Sequence, residues 1–139
     1  MTDAIQHFSS ANPASFDIKD VLEESGSGLT LTFGVDLYIA VLPSEPDNAV
    51  CIYDTGGPGP DVYGQETPAI QVRIRNLDYL TGFGLARDIK YYLHNRTAFT
   101  QNSTKYIQIR ARSDILYLGR DDLNRYEWTV NFLCSRSGI

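Results

Sequence analysis

Hydrophobic and polar positions follow two rhythms along this chain. In residues 15–25 (SFDIKDVLEES), Ile18, Val21 and Leu22 recur at helical spacing with acids near the start, and Gly26-Ser27-Gly28 follows as a stop; a short amphipathic helix is predicted. Residues 30–42 (TLTFGVDLYIAVL) and 49–53 (AVCIY) are rich in β-branched and aromatic residues and predict two strands, with Pro43-Ser44-Glu45-Pro46-Asp47-Asn48 as the turn between them. In residues 69–75, Ile70, Val72 and Ile74 alternate with Gln71, Arg73 and Arg75, the pattern of a strand with one dry and one basic face. From 79 to 95 the period lengthens. Tyr79, Phe83, Ala86, Ile89 or Lys90, and Leu93 form one helical stripe, and Asp78 stands where it can cap the first turn. Gly82 and Gly84 each weaken such a helix by roughly 1 kcal/mol relative to Ala, so close approach to a sheet is the expected reason for them.

The strand period then returns. Residues 105–112 set Ile107, Ile109 and Ala111 against Gln108, Arg110 and Arg112, and residues 126–134 set Tyr126, Trp128, Val130, Phe132 and Cys134 against Glu127, Thr129 and Asn131. The order α-β-β-β-α-β-β predicts an α+β fold: a single mostly antiparallel sheet with a long helix packed on one face and a short N-terminal helix. A chain of 139 residues, 42% hydrophobic, has the size of one domain, 1–139, with residues 1–14 outside any predicted element and open to disorder. Residues 54–68 (DTGGPGPDVYGQETP) hold four Gly and three Pro and are expected to form a long loop, a length more often functional than accidental.

Charge sharpens the picture. Residues 1–66 carry eleven Asp/Glu against the single Lys19, a net of −10, whereas residues 67–139 carry eleven Lys/Arg against six acids, a net of +5. Such polarity suggests two unlike surfaces and hence head-to-tail contact between copies, or docking between two different partners. Arg73, Arg75, Arg110 and Arg112 form one basic patch if their strands are neighbours. A nucleic-acid site is the alternative use, but the acidic chain as a whole and the preference for Arg over Lys make a protein interface the simpler one.

Candidate chemistry is sparse. Cys51 and Cys134 each lie in an apolar run and read as buried thiols, and with only His7 and His94 no metal and no cofactor is assigned. Asp54-Thr55-Gly56 after an apolar strand, with Leu118-Gly119-Arg120-Asp121 downstream, has the outline of a dimeric retroviral-type aspartic protease in which two copies of Asp54 share a proton. Against it, a long predicted helix separates the two motifs, and Gly57-Pro58-Gly59-Pro60 stands where such enzymes begin another strand. Asp54 reads instead as a structural residue capping the turn into the Gly/Pro loop. No phosphate-binding loop or serine elbow is present, and Asp121-Asp122 reads as a solvated turn, so the chain is expected not to be an enzyme. No run of eighteen apolar residues and no signal-like start occur, so synthesis in the cytosol without membrane association is expected.

Four stretches carry a resemblance: residues 43–57 (PSEPDNAVCIYDTGG), 68–75 (PAIQVRIR), Asp78-Tyr79 opening the helix, and 118–132 (LGRDDLNRYEWTVNF). In this order they resemble the phage minor capsid or tail terminator proteins of long-tailed bacteriophages over roughly residues 35–136. The resemblance implies a small α+β subunit of the virion, assembled in the host bacterial cytoplasm. It would form a ring, commonly of six copies, that caps the head-proximal end of the tail tube and offers a surface to the head-completion or connector protein. Partners would be self, the tail tube protein and the connector, with DNA passing through the ring but not specifically bound. Interface residues would be Arg73, Arg75, Arg110 and Arg112, with Arg120, Asp121 and Arg125 shaping the turn before the last strand. The 54–68 loop, through Asp54, Gly57 and Tyr63, would reach a neighbour or the tube.

Overall fold

In a computed structural model, which describes residues 11–137, helix α1 (Ala14–Glu23) is followed by a 3₁₀ turn (Ser25–Ser27) and strands β1 (Leu37–Ile39), β2 (Ala49–Gly56), β3 (Gln65–Glu66) and β4 (Ala69–Asn76). Helix α2 (Tyr79–Leu93) comes next, then β5 (Arg96–Gln101), β6 (Thr104–Ala111), β7 (Leu116–Arg120) and β8 (Tyr126–Ser137). The strands form one sheet in the order β1-β2-β4-β8-β6-β5, with β3 and β7 also on β8; only β1 pairs in parallel, with β2. The fold is α+β, as expected.

Both helices cover the same face. Ile18, Val21 and Leu22 of α1 and Ala86, Ile89 and Leu93 of α2 join Val50, Ile52, Ile70, Val72, Ile74, Val130 and Phe132 in one core, so the alternation of β4 and β8 is what separates the dry face from the other. Asp78 caps α2 by accepting from Thr81 N at 2.9 Å. Gly82 lets α2 close on the sheet, since a Cβ there would lie 3.0 Å from Trp128 Nε1 and 3.1 Å from Asn76 Cβ. Gly84 meets open space and has no such role. Cys51 and Cys134 are free and buried, and burial pushes the Cys134 thiol up to about 12.

Four expectations change. The apolar run 30–42 yields only the three-residue β1, because Leu37 N donates to Thr32 O and Asp36 Oδ1 accepts from Thr32 N, closing a turn in mid-run. The 54–68 loop is shorter than predicted: β2 continues through Asp54 to Gly56 opposite Ile70 and Ala69, and β3 takes up Gln65 and Glu66. Strands β5 and β7 were not foreseen, being short, largely exposed and without a buried face to impose alternation. In β6 a register shift between Tyr106 and Gln108 leaves Ile107 exposed and turns Tyr106 into the core.

Tyr106 ends in a buried polar knot. Its hydroxyl donates to Asp17 Oδ2 at 2.6 Å and accepts from Arg136 Nη1 at 3.1 Å, while Asn102 Nδ2 donates to Asp17 Oδ1 at 2.8 Å. Arg136 goes on to Glu66 at 2.7 Å and to the Asn12 carbonyl at 2.7 Å. Helix α1 is thus tied to β6, β3 and β8 through a carboxylate that no water reaches, and a buried charge is tolerable only while its partners stay in place. Replacing Tyr106 by Phe should therefore cost about 1–3 kcal/mol, read as a shift of the urea midpoint with an unchanged slope.

Candidate functional site

The residues expected at an interface divide into two sets. Strands β4, β8 and β6 carry Gln71, Arg73 and Arg75; Glu127, Thr129 and Asn131; and Arg110 on the face away from the helices, with Arg112 just past the end of β6. Arg73 and Arg75 are not on a strand adjacent to Arg110 and Arg112, because β8 lies between. They nevertheless share its open side: Gln71 Nε2 donates to Asn131 Oδ1 at 3.3 Å, and Arg112 N donates to Asn131 O at 2.9 Å. Arg73 is half-buried and pairs with Glu127 at 3.2 Å. Arg110 and Arg112 are exposed and make no ion pair among the described residues.

Arg75 belongs to the interior, which corrects the expectation of a surface charge, and Arg125 is buried too while it shapes the turn before the last strand as expected. Arg75 is 3% exposed and donates to the carbonyls of Pro43, Pro46 and Asp47 at 2.7, 2.6 and 3.2 Å. Arg125, 4% exposed, donates to Asp121 Oδ2 at 2.8 Å and to the Ser44 carbonyl, and lies 3.4 Å from Asp47 Oδ1. Two guanidiniums thus clamp the 43–47 turn against the end of β4 and the 121–125 turn. Burial, then the charge of Arg125, lowers the Arg75 pKa from its usual value. Asp121 organises the second turn, accepting from Leu123 N and Arg125 N at 2.9 Å each. Burial would raise its pKa, but the hydrogen bonds from Arg125 and Leu123 outweigh it and hold the carboxyl below the ordinary range. Arg120 is exposed on β7, opposite Tyr126.

The loop residues have distinct tasks. Asp54 does not cap the turn into the loop. Its Oδ1 accepts from Ser15 N at 3.0 Å and its Oδ2 from Ser15 Oγ at 2.6 Å, so a strand residue caps α1, whose own N-cap position is Pro13 and offers no side-chain acceptor. Gly57 sits at φ 92°, and a Cβ there would lie 2.6 Å from Thr67 O, so any side chain is refused. Tyr63 is 87% exposed, beside Val62 at 91%.

Charge polarity is partly consumed inside the subunit. Arg96–Glu24 at 2.8 Å, Arg125–Asp47 at 3.4 Å and Arg136–Glu66 at 2.7 Å all join the acidic half to the basic half. What sequence reasoning missed is the apolar surface at the start of α2 and around β7, where Leu77, Tyr79, Leu80, Tyr117 and Leu123 are exposed. Leu80, off the apolar stripe of α2, was its one signal. Beneath it the Tyr79 ring meets Tyr117 at 5.6 Å, Tyr126 at 5.4 Å and Trp128 at 5.0 Å.

Comparison with known proteins decides the kinship. The bacteriophage tail terminator protein family matches residues 27–137, roughly four-fifths of the chain. The chain belongs to that family. As a terminator-family chain it is a structural phage tail protein, and the match takes in every strand of the sheet while leaving out α1. Among solved structures, a chain of the virion of a native gene transfer agent particle is similar at TM-score 0.67 and 11% identity, covering 94% of this chain and 97% of that one; the likeness is one of fold. No curated protein sequence matches.

Two outcomes follow from this geometry. Arg75→Glu should destabilise the monomer by about 3–5 kcal/mol because it leaves buried carbonyls facing a carboxylate, whereas Arg110→Glu and Arg112→Glu should each stay within about 0.5 kcal/mol, all by urea denaturation. Because the folded-state pKa of Asp121 is depressed, its contribution is present above the unfolded value of about 4 and is lost as pH falls through the folded value. Asp121→Asn should lower the neutral-pH urea midpoint and flatten its fall below about pH 4.

Proposed function

We propose that this chain is the tail terminator itself: copies form a ring of six that caps the head-proximal end of the tail tube, stops its growth and gives the head-completion protein a surface to join. Family membership carries the reading. The subunit supports it in a physical way, since a closed ring of identical copies needs two unlike surfaces on each, and here a projecting apolar loop tip and an apolar patch occupy different ends of the sheet. The open sheet face, with exposed Arg110 and Arg112 and the half-paired Arg73, is proposed as a second contact surface, for an acidic partner in the tube or connector. Arg120 and Asp121 border the first. DNA passes the ring without being read. A role for Asp54 in peptide hydrolysis finds no support in its surroundings, because both carboxylate oxygens hold the start of α1.

A terminator must bind the last tube ring through one surface and present another that tube protein cannot recognise, which is specificity by exclusion. Removal of the gene should leave tails with overgrown tubes and unjoined heads in electron micrographs, and purified protein should restore joining to tubes of normal length. The Arg110→Glu/Arg112→Glu double variant should fold normally and fail to restore it. Tails of normal length that join heads without the protein would overturn the reading.

A further inference from the structure

We infer that the Val62–Tyr63 tip of one copy docks on the apolar patch around Tyr79, Leu80 and Tyr117 of the next copy, an assignment that rests on the ring reading above and names the contact that closes the ring. Val62 and Tyr63 are the two most exposed large apolar side chains among the described residues, at 91% and 87%. They are held out firmly. Asp61 Oδ1 accepts from Tyr63 N at 2.8 Å and from Gln65 N at 3.0 Å, and Asp61 N donates to Gln65 O at 2.9 Å, so the tip is a closed turn standing on β3. Ordering costs on docking are correspondingly small, which is the condition under which a two-residue apolar anchor gives useful affinity.

The receptor is equally pre-built. Tyr79 and Tyr117 are fixed by an edge contact with each other and by tilted contacts with Trp128, and Leu80, next along α2 from Tyr79, stands 74% exposed. The two features lie at opposite ends of β8: the tip leaves from β3, paired at Arg136 and Ser137, and the patch surrounds β7, paired down to Tyr126. Twelve residues of extended chain separate those ends by about 36–40 Å. No tip can reach its own patch. A knob at one end and its complement at the other make a heterologous contact, which propagates from copy to copy until rotation closes it. Charge agrees in sign but adds little: Asp54 holds Ser15 and Glu66 pairs with Arg136, which leaves Asp61 as the acid at the tip, whereas Arg120 at the patch end has no ion pair among the described residues. Asp78 and Asp121 are already engaged by Thr81 and Arg125; Asp122 keeps that end from being strongly basic, so the contact is chiefly apolar.

Size sets its strength. Burying Val62 and Tyr63 removes on the order of 300 Å² from the tip, well below the roughly 800 Å² per partner of a stable pair. Isolated copies therefore associate weakly, and the ring completes where further contacts add, on the end of the tube.

The test uses the full chain with Tyr63→Cys and Leu80→Cys together and a short bis-maleimide at high protein concentration; native Cys51 and Cys134 are buried. The double variant should give a ladder extending past dimer on a denaturing gel, while each single variant stops at dimer or below. Tyr63→Asp, at an exposed position, should keep the thermal midpoint and lower the oligomer fraction by about tenfold or more. No ladder, or cross-linking of Tyr63→Cys to tube protein alone when tubes are added, overturns the contact. Rings of Tyr63→Asp on tube ends in micrographs would overturn it while leaving the ring reading intact; absence of wild-type rings on tube ends would remove both.

Discussion

Backbone pairing along both edges of β8 is the constraint on which the molecule depends. β4 and β3 take one edge, β6 and β7 the other, so a single twelve-residue strand fixes the position of four others. Register along it decides which side chains face the helices, because a slip of one residue would exchange Trp128, Val130 and Phe132 for Glu127, Thr129 and Asn131. Register also sets the distance between the loop tip and the aromatic patch. The fold and the geometry of the proposed contact thus derive from the same ladder.

Arginine is used in two ways here. Arg75, Arg125 and Arg136 are internal ties, each reaching several oxygens from segments far apart in sequence, as a planar fork with five donors can do and an ammonium cannot. Arg110, Arg112 and Arg120 remain at the surface. The opposite charges of the two halves therefore describe how the subunit holds itself together at least as much as what it meets: α1 and the 43–47 turn come from the acidic half, and the basic half grips both.

Local features were legible. The dry face of β4 and the Asp78 cap are set by residues within a few positions, and periodicity or propensity reports them directly; Gly82 announces a close approach by its cost to the helix, although the side chain it meets, Trp128, is remote in sequence. The family resemblance was legible for a different reason, in the order of short motifs along the strands. Features that depend on remote partners were hidden. Arg75 has the spacing of a solvent-facing residue in β4, but its acceptors are 28 to 32 positions away in a turn that folds over it. Asp54 looks like a turn cap or an active-site acid until Ser15, 39 positions earlier, is brought against it. Of the candidate interface, the exposed Arg110 and Arg112 could be read from alternation, whereas the patch at Leu80 and Tyr117 joins two elements whose proximity only tertiary structure supplies. Tyr106 and Ile107 exchanged roles because a bulge is invisible to a period-two count.

The central strand is also the last strand of the sheet to leave the ribosome. Until residues 126–137 emerge, β2 and β4 can pair with each other and β5 with β6, but no backbone ladder joins the two pairs, and the edges of β4 and β6 that β8 takes remain unpaired. Completion of the sheet is accordingly a late, long-range event with a large loop-closure cost. A copy truncated before β8 would have no frame on which to hold its tip and its patch apart, so incomplete chains would lack the geometry that the proposed contact between copies requires.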